Sequence, residues 1–157
     1  MSGNNNNTNN SHSCAQQQNL TLLQAVASNS EMGKEALQQL VPLAKEPLLK
    51  AELLREQNVY RQINQEAHTA IAACGEQTKG QGMMAKMGAK MGIAMKTMGD
   101  QSARTLAEMV AEGAQQGVVD CIENLRDCPD ATPGAKRLAQ RLQDHNQDCI
   151  QQMKGFL

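Results

Sequence analysis

The side chains best suited to chemistry in this chain are carboxylates, imidazoles and thiols set at helical spacings. Glu56 stands in the run Leu49, Leu53, Glu56, Tyr60, Ile63, Ala67, Ala70 and Cys74, which advances in steps of four and three. The face that turns Leu53 and Tyr60 inward therefore turns Glu56 inward as well. A carboxylate taken out of water must find a partner or keep its proton. Near the C-terminus, His145 and Cys149 lie four apart and so share a helix face. With Glu31, Glu108 and Glu112 from other helices, these three form a candidate ligand set for iron or zinc, joining hard carboxylates to an imidazole and a thiolate. The same residues also have an ordinary structural reading, in which Glu56 sits at a wet bundle end or is buried and bonded to Tyr60 one turn away.

A second group is the methionine stripe Met84, Met87, Met91, Met95 and Met98, with Cys74 shortly before it. Thioethers are soft ligands that suit Cu(I). A methionine at every turn is also what a core without aromatic rings uses to fill irregular space. A third reading is a contact surface. Residues 77–99 hold Lys79, Lys86, Lys90 and Lys96 and no acid, with Lys86 and Lys90 well away from the methionines, and Gly88 and Gly92 permit close helix approach. Met84, Met87, Met91, Met95, Lys86 and Lys90 are the expected interaction face.

Catalytic signatures are missing. The chain has no Gly-x-Ser-x-Gly and no phosphate loop, and His145 with Cys149 is the nearest approach to an activated thiol, without a third group to orient it. No Glu-x-x-His occurs, which argues against the usual di-iron carboxylate site. The expectation is a protein that is not an enzyme and needs no cofactor, with a bound metal as the open alternative.

Composition narrows the classes further. There is one Phe, one Tyr and no Trp, against ten Met and twelve Gly. Base-stacking nucleic-acid readers, aromatic lectin-like sites and antibody-like sandwiches all need rings this chain lacks. With 15 basic and 16 acidic residues, no global charge would hold nucleic acid or an anionic membrane. No apolar run approaches the roughly 18 residues of a transmembrane helix. The N-terminal residues have no basic charge and no apolar core of a secretory signal, so a cytoplasmic protein is expected. Five widely spaced cysteines without a Cys-x-x-Cys pair read as reduced thiols.

The elements that must position these side chains are helices throughout, because no segment alternates with period two. The periodicity predicts helices over about 20–41, 47–75, 101–127 and 135–156. Pro42 closes the first and Pro47 suits the first turn of the second. Asp127 to Gly134, with two prolines and a glycine, forms the strongest turn. The methionine stripe is either the first half of the third helix, entered through a kink at Gly99, or a short helix of its own. Residues 1–19, rich in Asn, Ser and Gln, have almost nothing to bury and read as a disordered tail before a single domain over 20–157.

The residues Glu31-Met-Gly33, Tyr60, Met98-Gly-Asp-Gln-Ser102, Ala107-Glu-Met-Val-Ala-Glu-Gly113, Gly117-Val and Lys154-Gly-Phe-Leu157 together resemble an uncharacterised family of small bacterial ferritin-like, four-helix-bundle proteins. The resemblance covers most of 20–157 and implies the fold but no activity. A His found near the position of Arg104 in related sequences is absent here. The expected protein is thus all-α, an antiparallel four-helix bundle of ferritin-like type. It is expected to act as a non-enzymatic structural or interaction module that meets a second copy or another helical protein, with no role for nucleic acid. The alternative is a metal-binding ferritin-like protein, using the carboxylates for iron or zinc or the methionines for Cu(I).

Overall fold

A computed structural model describes residues 5–75 and 99–157, with side chains from residue 11 onward. The order is α1 (Asn5–Leu40), a 3-10 turn (Val41–Leu43), α2 (Pro47–Ala73), α3 (Ala103–Asp127), α4 (Pro133–Met153) and a closing 3-10 turn (Lys154–Phe156). Among the described residues there is no strand and no helix long and apolar enough to cross a membrane. The methionine and lysine positions expected to form an interaction face, Met84, Met87, Met91, Met95, Lys86 and Lys90, lie outside the described residues.

Local chemistry sets the helix ends. Pro42 falls in the 3-10 turn, and Pro47 opens α2, where a missing N–H breaks no bond. After Ala73 the chain turns through Gly75 at φ +76°, a conformation that costs glycine little. Ser102 caps α3 by accepting from the Thr105 N–H at 3.2 Å, and Asp100 in turn accepts from the Ser102 N–H and the Thr105 hydroxyl. This network starts α3 afresh at Ala103, and residues 99–102 are not helical. Of the two readings of the methionine stripe, the one that continues the third helix back through Gly99 is corrected accordingly, and the separate short helix lies outside the described residues. Thr132 caps α4 in the same way, accepting from the Ala135 N–H ahead of Pro133.

α1 begins well before Leu20, where the apolar pattern starts, and residues 11–19 belong to it. The reason lies in side chains that no local pattern ranks. Gln18 accepts from the Asp130 N–H at 2.7 Å, and Asn19 accepts from the Thr132 hydroxyl at 2.7 Å, tying α1 to the turn between α3 and α4.

Cross-helix pairs give the helix directions. Asn19 meets Cys74, Asn64 donates to the Ala27 carbonyl, and Gln57 reaches the Lys34 carbonyl, so α1 and α2 are antiparallel. Asn19 lies against Thr132 just beyond α3, and Asn29 donates to the Gly117 carbonyl, so α3 also runs opposite to α1. Arg141 pairs with Glu66 and His145 faces Glu56, which sets α4 against α2. Each hairpin is antiparallel as expected, but α2 and α3 run in the same direction. A wholly antiparallel arrangement is therefore corrected, and Gly75 and Gly99 lie at opposite ends of the molecule. One apolar core is shared by all four helices, including Leu22, Leu37, Leu53, Ile63, Leu106 and Leu142, all essentially inaccessible to solvent.

Candidate functional site

Helix α2 supplies Glu56 and, one turn on, Tyr60; α4 supplies His145, Asn146 and Cys149. All five are buried, Glu56 and Cys149 completely. Glu56 is thus no wet-end residue, and the expected bond between Glu56 and Tyr60 is not made. The Tyr60 hydroxyl donates across the core to Asn146 Oδ1, while the Tyr60 ring meets the His145 ring edge-on, with centroids 4.4 Å apart.

Glu56 uses its two oxygens differently. Oε1 accepts from Arg55 Nη2 at 2.6 Å, and the same guanidinium is shared with Glu52. Oε2 lies 3.3 Å from His145 Nε2, and neither of these two atoms has another partner. Burial is the largest influence on Glu56 and pushes its carboxyl up to about 7 against the pull of Arg55, whose side chain is half in solvent. Burial likewise pushes His145 down to about 4, helped by the positive charges of Arg55 and Arg141. Below about pH 7 the carboxyl is therefore mostly protonated, and above about 4 the imidazole is mostly neutral. Burial, with the neighbouring Glu56 carboxyl, drives the Cys149 thiol far above its usual range, and burial pushes Cys121 up to about 12. A thiol in that state is no nucleophile, so the helical spacing of His145 and Cys149 yields packing rather than activation.

The other carboxylates expected at this centre lie elsewhere. Glu31 is buried on α1 but pairs with Lys34 one turn along. Glu108 pairs with Arg104 at 2.9 Å on the outer face of α3, and Glu112 is exposed. Of the six proposed ligands the fold brings together Glu56, His145 and Cys149. Among the described residues, no group of three or more His, Cys, Asp and Glu side chains is placed to hold a metal ion.

Beside this cluster lies a cavity of about 470 Å³ between α1 and α3. Met32, Leu37, Leu40, Met109 and Val110 give it apolar walls, and Tyr60 and Asn146 reach it from the other two helices. Three glycines in its lining have two different jobs. A Cβ at Gly33 would stand 2.6 Å from the Tyr60 ring, and one at Gly117 would stand 2.6 Å from Asn146 Nδ2, so each glycine admits a side chain from the other helix of its own hairpin. A Cβ at Gly113 would meet nothing within 4 Å. Among the lining residues Asn146 is 1% exposed, and its Nδ2 donor has no partner.

Asn29, Ser30, Asn64 and Asn146 are the buried polar residues that the apolar pattern passed over. Their helical register was the available signal: Asn64 follows Tyr60 by four, and Asn146 follows Leu142 by four. No family model, no curated protein and no solved structure matches the chain.

Proposed function

We propose that this chain is a non-enzymatic helical binding module that works through the cavity between α1 and α3, with the Glu56–His145–Cys149 cluster serving the core. The observation that carries this reading is an apolar cavity of about 470 Å³ walled by all four helices, with Asn146, whose buried side-chain donor is unpaired, among its lining residues. Buried donors are normally paired, and cavities of several hundred Å³ with few polar groups are the usual form of a small-molecule site. The high Cys149 thiol suits packing better than nucleophilic attack, and His145, pushed down to about 4, is neutral near pH 7.

A metal-binding, ferritin-like protein is the rival reading. Two antiparallel hairpins with α2 and α3 parallel, joined by one long connection, is the helix order of ferritin-like bundles, and this favours that family of folds. Ferritin-like form does not bring ferritin-like chemistry with it. The experiment that separates the two is elemental analysis of anaerobically purified full-length protein, combined with its native mass. The binding-module reading predicts no stoichiometric metal and an organic passenger on the wild type that Gly113→Leu, which fills the cavity, does not retain. Stoichiometric iron or zinc lost on Glu56→Gln, or stoichiometric copper, would overturn it.

A further inference from the structure

We infer that the ligand of the α1–α3 cavity is a cationic amphiphile, a primary ammonium on an apolar tail, with its head at Asp120 and its tail toward Leu40. The inference rests on the cavity being the working site and adds the chemistry of its occupant.

The two long walls give the cavity a direction. α1 and α3 are antiparallel, and the Asn29 amide donates to the Gly117 carbonyl at 3.4 Å, which fixes their register. Asn29, Gln116 and Asp120 therefore share one end of the lining, while Leu37, Leu40, Met109 and Val110 share the other. Between Asn29 and Leu40 the α1 wall runs about 16 Å, at about 1.5 Å per residue. Gly113 stands between the two ends, and nothing lies within 4 Å of where its Cβ would be. The cavity is thus itself amphiphilic, polar at one end and apolar at the other.

The head group follows from the charge at the polar end. Asp120 is the one carboxylate in the lining, and no Lys, Arg or His joins it there. Among the described residues no ion pair includes Asp120; its side-chain partner is Gln116, whose amide donates to Oδ1 at 2.8 Å. The nitrogen of Gln116 is engaged by Asp120 and that of Asn29 by Gly117, so the bonding capacity left at this end is chiefly for accepting. A primary ammonium brings a positive charge and three N–H donors to that set of oxygens. An anionic head would lose its water, meet a like charge and gain no cation. An alcohol would donate once and leave the Asp120 charge uncompensated. At the other end the tail meets aliphatic side chains, and the flexible thioethers of Met32 and Met109 adapt to its shape.

The test titrates the full chain at pH 7 with three probes of one tail length, n-octylammonium, 1-octanol and octanoate, and follows the heat of binding at low and at moderate salt. The ammonium is expected to bind once per chain and about tenfold tighter than the alcohol, with the carboxylate weaker still. Its advantage over the alcohol should shrink as salt rises, because Asp120 lies where ions can screen it. Asp120→Asn keeps the size of the side chain and an oxygen acceptor but removes the charge, and is expected to bring the ammonium down to the alcohol's affinity. Gly113→Leu is expected to abolish binding of all three. Alcohol binding as tight as that of the ammonium, or an ammonium preference that survives Asp120→Asn, with binding still lost in Gly113→Leu, would overturn the head group while leaving the cavity as the site. No binding by any probe, or binding that survives Gly113→Leu, would overturn both.

Discussion

Glu56 and His145 approach to 3.3 Å with the burial of each favouring its neutral form, and this makes the stability of the protein depend on pH in both directions. Below the unfolded carboxyl value of 4.5, Glu56 is protonated in both states; as pH rises from there to about 7, only the unfolded chain releases the proton, so stability is lost. For His145 the order is reversed. Above 6.5 it is neutral in both states, and as pH falls toward about 4 the unfolded chain binds the proton first, again at the expense of the folded state. The pair is therefore best tolerated at mildly acidic pH. Glu56→Gln keeps the shape, offers an oxygen to Arg55 and places an amide donor against His145 Nε2. We predict that this variant removes the loss of stability between about pH 4.5 and 7 and is more stable than wild type at pH 8 by about 1–3 kcal/mol, since each pH unit of differential protonation costs about 1.4 kcal/mol. Denaturant titrations at pH 5 and pH 8 check it. A variant less stable at pH 8 would mean that the Arg55–carboxylate pair outweighs burial. The thiols give a second residue-scale prediction. Cys14 and Cys74 are exposed, while Cys121, Cys128 and Cys149 are buried. A thiol reagent should label the first two quickly and the other three only in denaturant.

Among the elements, α1 and α3 depend most visibly on glycine. Replacing a helical Gly by Ala ordinarily gains about 1 kcal/mol through reduced backbone entropy. At Gly113 nothing stands within 4 Å of the new methyl, so Gly113→Ala should show that gain. At Gly33 the methyl would lie within 2.7 Å of three Tyr60 ring carbons, and Tyr60 is held by His145 and Asn146. Gly33→Ala should therefore be destabilising by about 1–3 kcal/mol, the usual range for overpacking a filled site. Thermal unfolding of the two variants beside wild type decides this, and shifts of the same sign would contradict the packing described for Tyr60. The α2 seam was legible because Leu49, Leu53, Glu56, Tyr60, Ile63 and Ala67 are all buried at the spacing their types announce. The start of α1 was not legible. Gln18 and Asn19 carry no apolar signal, and their partners Asp130 and Thr132 are more than a hundred positions away.

At the scale of the molecule, helical periodicity reports which face of each helix is buried and nothing about which helix will cover it. All-helical architecture could be read from the chain, whereas the parallel course of α2 and α3 depends on pairs such as Asn29 with Gly117 and Arg141 with Glu66, which only the fold brings together. The candidate centre divides in the same way. Glu56, His145 and Cys149 were found because they interrupt apolar seams, and they do meet, but Glu108 and Glu112 have the right chemistry on the wrong face. The cavity was invisible to sequence because its walls come from four helices that only the fold brings together. Xenon pressure tests the cavity most directly, because xenon enters apolar cavities without needing a polar partner. Crystals of the full chain under xenon should show the gas between α1 and α3, lined by Met32, Leu37 and Val110, with Asn146 Nδ2 still unpaired by protein, and Gly113→Leu crystals should show none. Side chains of the chain itself filling that space in the wild type, with Asn146 Nδ2 bonded to one of them, would contradict the account.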